Sequence, residues 1–135
     1  MNNENNSHKM SNMESNYPEY IVFMAEDTFA PLFWDDGCAG QGDTDSFFIG
    51  ENEHDLSSLI GLKEWFSQAD RYDPYTDVTD FNPEGMDDWI NQGYLFAKQL
   101  RRIIPKEIDL YYGFWHQFGT DWNCCRAYIP YEMSH

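Results

Sequence analysis

Asn82–Pro105 reads NPEGMDDWINQGYLFAKQLRRIIP. It carries a start signal, one apolar face and a stop, and so reads as a helix. Asn82 is placed to cap the first turn and Pro83 occupies the first helical position, where its missing N–H costs nothing. Glu84, Asp87 and Asp88 suit the positive end of the helix dipole, and Lys98, Arg101 and Arg102 suit the negative end. Met86, Trp89 and Ile90, Gly93, Phe96 and Ala97, Leu100, and Ile103 and Ile104 repeat at helical spacing. Gly93 in the middle of that face costs about 1 kcal/mol of helix propensity against Ala. The compensation expected is close approach to a sheet or to another helix. Pro105 ends the helix.

Upstream, Ser57–Tyr72 predicts a first helix, with Leu59, Leu62, Phe66 and Ala69 on one face and Trp65 and Tyr72 flanking it. Asp55, Ser57 or Ser58 is the candidate cap, and Gly61 is a weak point. Tyr20–Ala25 (YIVFMA) is a short run rich in β-branched and aromatic residues, and reads as a central strand buried on both faces. Ile108–Gly113 reads as a second strand, with Phe114 and Trp115 as possible extensions. The chain between these two runs is long enough for a crossover, which permits parallel pairing. A turn near Gly119–Asp121 and a third strand over Trp122–Ile129 follow. Between Glu26 and Asp55 lies a long glycine-containing segment with a possible short strand at Phe47–Ile49. Long irregular connections of this kind often carry function. The architecture predicted is α/β: a small, mostly parallel sheet of two or three strands with two main helices packed on it. It forms a single compact domain over residues 17–135, preceded by a disordered tail over 1–16. Met10 and Met13 leave the native start open.

The 135 residues carry 24 acids against 8 Lys and Arg, a formal charge of −16. Such a balance disfavours nucleic acid and anionic membranes, which require a positive footprint, and favours a basic protein partner. Acidity also serves solubility alone, and that explanation is equally weighted. The longest apolar run is too short to span a bilayer, and the N-terminus lacks the apolar core of a secretory signal. The expected location is the cytoplasm. Cys38, Cys124 and Cys125 do not form a disulfide framework.

No motif identifies a reaction. Cys38–Asp43 (CAGQGD) lacks the Lys-Ser/Thr and the following helix of a phosphate loop. Asp70, Asp73, Asp77 and Asp80 lack calcium-loop spacing, as do Asp43 and Asp45. The cysteines with His54 and His116 lack zinc spacing, and adjacent Cys124 and Cys125 in a strand point to opposite faces. One thiol is expected to be buried and the other exposed. Cys38 with His54 or His116 has no local support as a nucleophile pair. No enzyme, metal or cofactor is expected. What remains is the pairing of acids with aromatics, the residue types of an interface anchor and its rim. The candidate partner-binding residues are Trp34, Asp35, Asp36, Asp43 and Asp45 in the first long segment, and Asp73, Tyr75, Asp77 and Asp80 before the main helix.

Leu32-Phe33-Trp34, Glu64-Trp65, Tyr72-Asp73 and the Gly93/Ala97/Leu100 spacing resemble, in their order, a group of small bacterial proteins with an N-terminal strand, two helices and a closing strand. That likeness covers about residues 20–113 and does not explain the insertion after Trp34 or the tail after Gly113. Small acidic proteins of this type also resemble immunity proteins of bacterial toxin systems, including contact-dependent growth inhibition. The resemblance implies binding and blocking of a cognate basic, nuclease-like toxin domain. The alternatives are a nucleic-acid-mimicking regulator of a DNA- or RNA-binding protein, and a small enzyme or metal-binding protein.

Overall fold

The computed structural model describes residues 18–28, 30–37, 39–75 and 81–132. The tail expected over 1–16 lies outside these residues. In chain order the elements are β1 (Tyr20–Phe23), β2 (Phe33–Asp35), β3 (Gly40–Gln41), β4 (Ser46–Ile49), β5 (Asn52–Asp55), α1 (Leu62–Phe66), a 3-10 turn (Ala69–Tyr72), α2 (Met86–Ile103), β6 (Asp109–Phe118) and β7 (Asp121–Ile129). The main sheet is five-stranded in the order β3-β2-β1-β6-β7, and β4 and β5 form a separate hairpin.

This corrects the expected mostly parallel sheet of two or three strands. Only β1 and β6 pair in parallel, with Tyr20 opposite Asp109 and Phe23 opposite Tyr112. The β1–β2, β2–β3 and β6–β7 pairs are antiparallel. Short connections dictate this, because only a long crossover can return a chain to run parallel. The β6–β7 link is Gly119–Thr120, with Gly119 at φ 64°. β1 is central, as its unbroken apolar run suggested, and Ile21, Val22 and Phe23 are all buried.

The helices also differ from expectation. Gly61 at φ 90° precedes α1, so residues 57–61 form turns and the expected sixteen-residue span shrinks to five residues and a separate 3-10 turn. Trp65 and Tyr72, expected on the flank, are buried. α2 starts at Met86 after Gly85 at φ 84°. Asn82 is therefore not its cap: its side chain accepts the Glu84 N–H in the preceding turn, at 3.0 Å. The far end behaves as read. Ile104 is extended before Pro105, and buried Arg101 donates to the carbonyls of Ile104 and Pro105 at 3.1 and 2.6 Å.

α2 lies on one face of the sheet. Ile21, Phe23, Leu110, Tyr112 and Ile129 project toward it and meet Trp89, Phe96, Ala97 and Leu100 in one core. Gly93 sits where this layer is thinnest. A Cβ there would stand 2.2 Å from the Tyr112 hydroxyl and 2.4 Å from the Trp65 ring. The glycine thus permits approach to the sheet and to α1 together. Trp65 and Trp89 stack with centroids 4.7 Å apart. Each indole N–H donates to the other residue's backbone carbonyl, at 2.7 and 2.9 Å. The Tyr112 hydroxyl donates to the Ile90 carbonyl at 2.8 Å, and burial pushes it well above the ordinary tyrosine range.

Gly93→Ala should therefore destabilise the fold by about 1–3 kcal/mol through overpacking, despite alanine's better helix propensity. Denaturant titration measures this, and a neutral or stabilising outcome would contradict the close contact. Trp65→Phe should cost a similar amount, because it removes one of the reciprocal bonds and the fit of the stacked ring.

Candidate functional site

Alternation along the strands gives the sheet a second face. Val22 of β1 and Trp34 of β2 are paired, as are Val22 and Tyr111 of β6, and Tyr111 and Tyr128 of β7. Their side chains lie opposite to Phe23 and Tyr112, which enter the core. Among the described residues no helix packs on this second face. Within the described chain, its cover is its own side chains. Tyr20 meets Tyr111 edge-on at 5.7 Å, Tyr111 meets Tyr128 at 5.6 Å, and the Arg126 guanidinium lies 5.8 Å from the Tyr20 ring. Gly113 leaves room for Met24, whose sulfur would be 2.8 Å from a Cβ at that position.

A depression of about 270 Å³ opens on this face. Val22, Met24 and Trp34 supply its apolar lining, and Glu26, Asp35 and Arg126 its charges. Cys124 is at its side, with its sulfur 3.5 Å from that of Met24. Burial pushes the Cys124 thiol up, Arg126 opposes this, and Glu26 and Cys125 add to it. Cys124 is exposed and Cys125 half-buried, so neither is the buried thiol expected of the pair. Cys38 lies outside the described residues.

Behind Glu26 stands a group of carboxylates. The Thr28 N–H and hydroxyl donate to Asp70, at 3.0 and 2.9 Å, which ties the segment after β1 to the 3-10 turn. Asp73 is buried, at 8% exposure, and accepts the Tyr75 N–H at 2.9 Å. Burial first, then Asp27 and Asp73, raises Glu26 above the ordinary carboxylate value. Burial likewise raises Asp73, with Asp27 and Asp70 adding to it and the Tyr75 N–H opposing.

The expected site residues separate by what they touch. Trp34 and Asp35 line the depression. Asp35 also accepts the N–H groups of Gly37 and Ala39 at 2.9 and 3.0 Å, closing the β2–β3 turn. Asp36 accepts the Glu19 N–H at 3.0 Å and remains exposed. Asp43 accepts the N–H groups of Asp45 and Ser46, and the Asp45 carbonyl accepts the Leu56 N–H. These two belong to the entry into β4, whose Phe47 stacks on Phe33 on the helix side of the sheet. Asp73 is held inside the carboxylate group. Tyr75, 63% exposed, lies edge-on to Trp115 and donates its hydroxyl to the Trp122 carbonyl. Asp77 and Asp80 lie outside the described residues. Sequence reading missed Glu26, Tyr20, Tyr111, Arg126 and Tyr128. Their signal was the strand alternation itself, hidden because aromatics occupy both faces.

Among the described residues no group of three or more His, Cys, Asp or Glu is arranged to hold a metal ion, and no helix is long and apolar enough to cross a membrane. No family model, curated protein or solved structure matches the chain.

The carboxylate group makes a pH-dependent prediction. A carboxyl whose folded pKa lies above its unfolded one destabilises the fold at high pH, and the penalty fades as pH falls through the folded pKa toward the ordinary 3.8 of Asp. Asp73→Asn keeps the acceptor for Tyr75 and removes the charge. Its melting temperature should exceed that of the parent at neutral pH, and the gap should close on acidification toward pH of about 4. A gap independent of pH would refute the electrostatic account.

Proposed function

We propose that the chain is an immunity-type inhibitor that binds a basic, nuclease-like toxin domain and blocks it. The observation that carries the reading is the aromatic sheet face, which no helix covers among the described residues, with its acid-rimmed depression, in a chain of formal charge −16. Trp34 and the tyrosines supply rigid contact area at low conformational cost, the property that makes such residues anchors. Asp35 and Asp36 border them and attract a cationic surface, and a cation seated beside Glu26 offsets the burial and like charges that oppose its ionisation. A lysine or arginine side chain of the partner fits the depression, with its apolar stem on Met24 and Trp34 and its head toward Glu26 and Asp35. A nuclease requires positive charge to hold its substrate, so an acidic surface competes for the same groove. The cytoplasm, where such a toxin acts, is the location this reading assigns.

The discriminating experiment is co-expression and affinity purification with the product of the adjacent upstream gene, followed by titration calorimetry. Tight binding that protects against toxicity supports the proposal. A neighbour without toxicity, together with no tight basic partner, defeats it. Within a complex, Trp34→Ala should weaken affinity by about thirtyfold, the scale of an interface hot spot. Asp36→Asn should mainly slow association and flatten its salt dependence. Unchanged affinity in the Trp34 variant would move the interface off this face.

A further inference from the structure

The two edges of the main sheet are built differently. β3 has two residues, too short to template another strand. β7 has nine, and among the described residues it pairs with β6 alone. Its register runs from Phe118 opposite Asp121 to Leu110 opposite Ile129 without a bulge. It contains no proline and no lysine, two of the devices that protect an edge, and among the described residues only Tyr75 hydrogen-bonds to its outward side, at the Trp122 carbonyl. Its two charged residues, Asp121 and Arg126, cancel in a chain that is otherwise strongly acidic.

Strand parity identifies the free backbone groups. A two-residue turn closes on a hydrogen-bonded pair, here Phe118 and Asp121. Asp121, Asn123, Cys125, Ala127 and Ile129 therefore bond toward β6. Trp122, Cys124, Arg126 and Tyr128 turn their N–H and C=O groups outward. The Tyr75 hydroxyl, which donates to the Trp122 carbonyl from outside the sheet, agrees with this parity.

We propose that β7 is a self-pairing edge: a second copy of the chain adds its own β7 antiparallel to it, joining two sheets across a two-fold axis. Charge selects the occupant. Contact between two copies at the acid-rich loops sets like charges together, whereas the β7 edges meet with no net charge. A register centred on Cys125 uses the whole strand. It sets Trp122 opposite Tyr128 of the second copy, an aromatic cross-strand pair, and Cys124 opposite Arg126 of the second copy, so no like charges face each other. The Trp122 carbonyl has a second lone pair, so its bond from Tyr75 can persist. A two-fold contact of this kind is closed and stops at the dimer. β2 and β3 lie at the other edge, so the pairing leaves Trp34, Asp35 and Asp36 accessible. It stands or falls independently of the inhibitor reading.

The test is sedimentation equilibrium of the full chain under reducing conditions, from low micromolar to submillimolar, at low and high salt. The mass should rise from 16.0 kDa toward twice that value, and more readily at high salt, which screens the repulsion between two acidic bodies. Residue-resolved hydrogen exchange locates the contact. Amides of Cys124, Arg126 and Tyr128 should exchange fast in the dilute monomer and slowly in the dimer, while those of Asn123, Cys125 and Ala127 stay protected in both. Cys124→Lys, which sets a cation opposite Arg126 of the second copy, should weaken dimerisation by about tenfold. Should that variant fail to fold, the exchange pattern of the parent decides. A chain monomeric under every condition, or a dimer whose outward β7 amides stay fast, overturns the proposal.

Discussion

The fold depends on how closely α2 can approach the sheet, and Gly93 sets that distance. With hydrogen in place of a methyl group, the Tyr112 hydroxyl and the Trp65 ring reach the helix backbone. The rest follows from this contact. The Tyr112 hydroxyl satisfies itself on the Ile90 carbonyl. Trp65 and Trp89 come close enough to exchange bonds between indole N–H groups and carbonyls. Each of those carbonyls has two lone pairs, so it accepts an indole in addition to its backbone donor. α1 is only five residues long and could not hold a helix by itself. It is helical because the indole bonds and the stacked rings fix Trp65 in the core.

A single long helix covers a single face. α2 is long enough to shield β1 and β6, but the described chain provides no comparable layer for the opposite side. That side is therefore finished with aromatics and long side chains rather than a second helical layer. Val22 and Met24 are 3% and 5% exposed because Tyr20, Trp34, Tyr111 and Arg126 surround them. A face made this way is apolar at its floor and charged at its margin, the cross-section of a recognition surface. Its aromatic surface and charged margin thus trace to the asymmetry of the packing.

Much of this was legible in the sequence where pattern and packing agree. α2, its stop at Pro105, the central position of β1, the parallel partner of β1, and the turn and strand that follow β6 were read from periodicity and turn residues. The failures have physical causes. β2 and β3 are three and two residues long, too short for any period to register. Gly61 and Gly85 adopt positive φ and move both helix starts downstream of the side chains that looked like caps. Direction failed because the Glu26–Asp55 segment was read as an irregular connection, when it contains β2, β3, β4 and β5. The open face escaped because Tyr20, Tyr111 and Tyr128 look like core residues in a linear pattern. Only pairing shows that they share the other side.

The acids show why charge alone did not locate the site. Asp35, Asp43 and Asp73 accept backbone N–H groups that would otherwise be unsatisfied in tight turns, so the fold uses them whatever the protein binds. Glu26 and Asp73 go further and resist ionisation, because burial and neighbouring carboxylates oppose it. A folded chain keeps such groups together only if other contacts hold them, and here the bonds from Thr28 to Asp70 do so. Asp35, Asp36 and Asp43 each give one oxygen to backbone N–H groups, and Asp35 and Asp36 differ from Asp43 in their place. These two lie beside Trp34, at the margin of the apolar floor. The acid–aromatic pairing seen in the sequence is thus also a spatial one at Trp34, Asp35 and Asp36, while the Asp43 and Asp73 carboxylates accept N–H groups of turns.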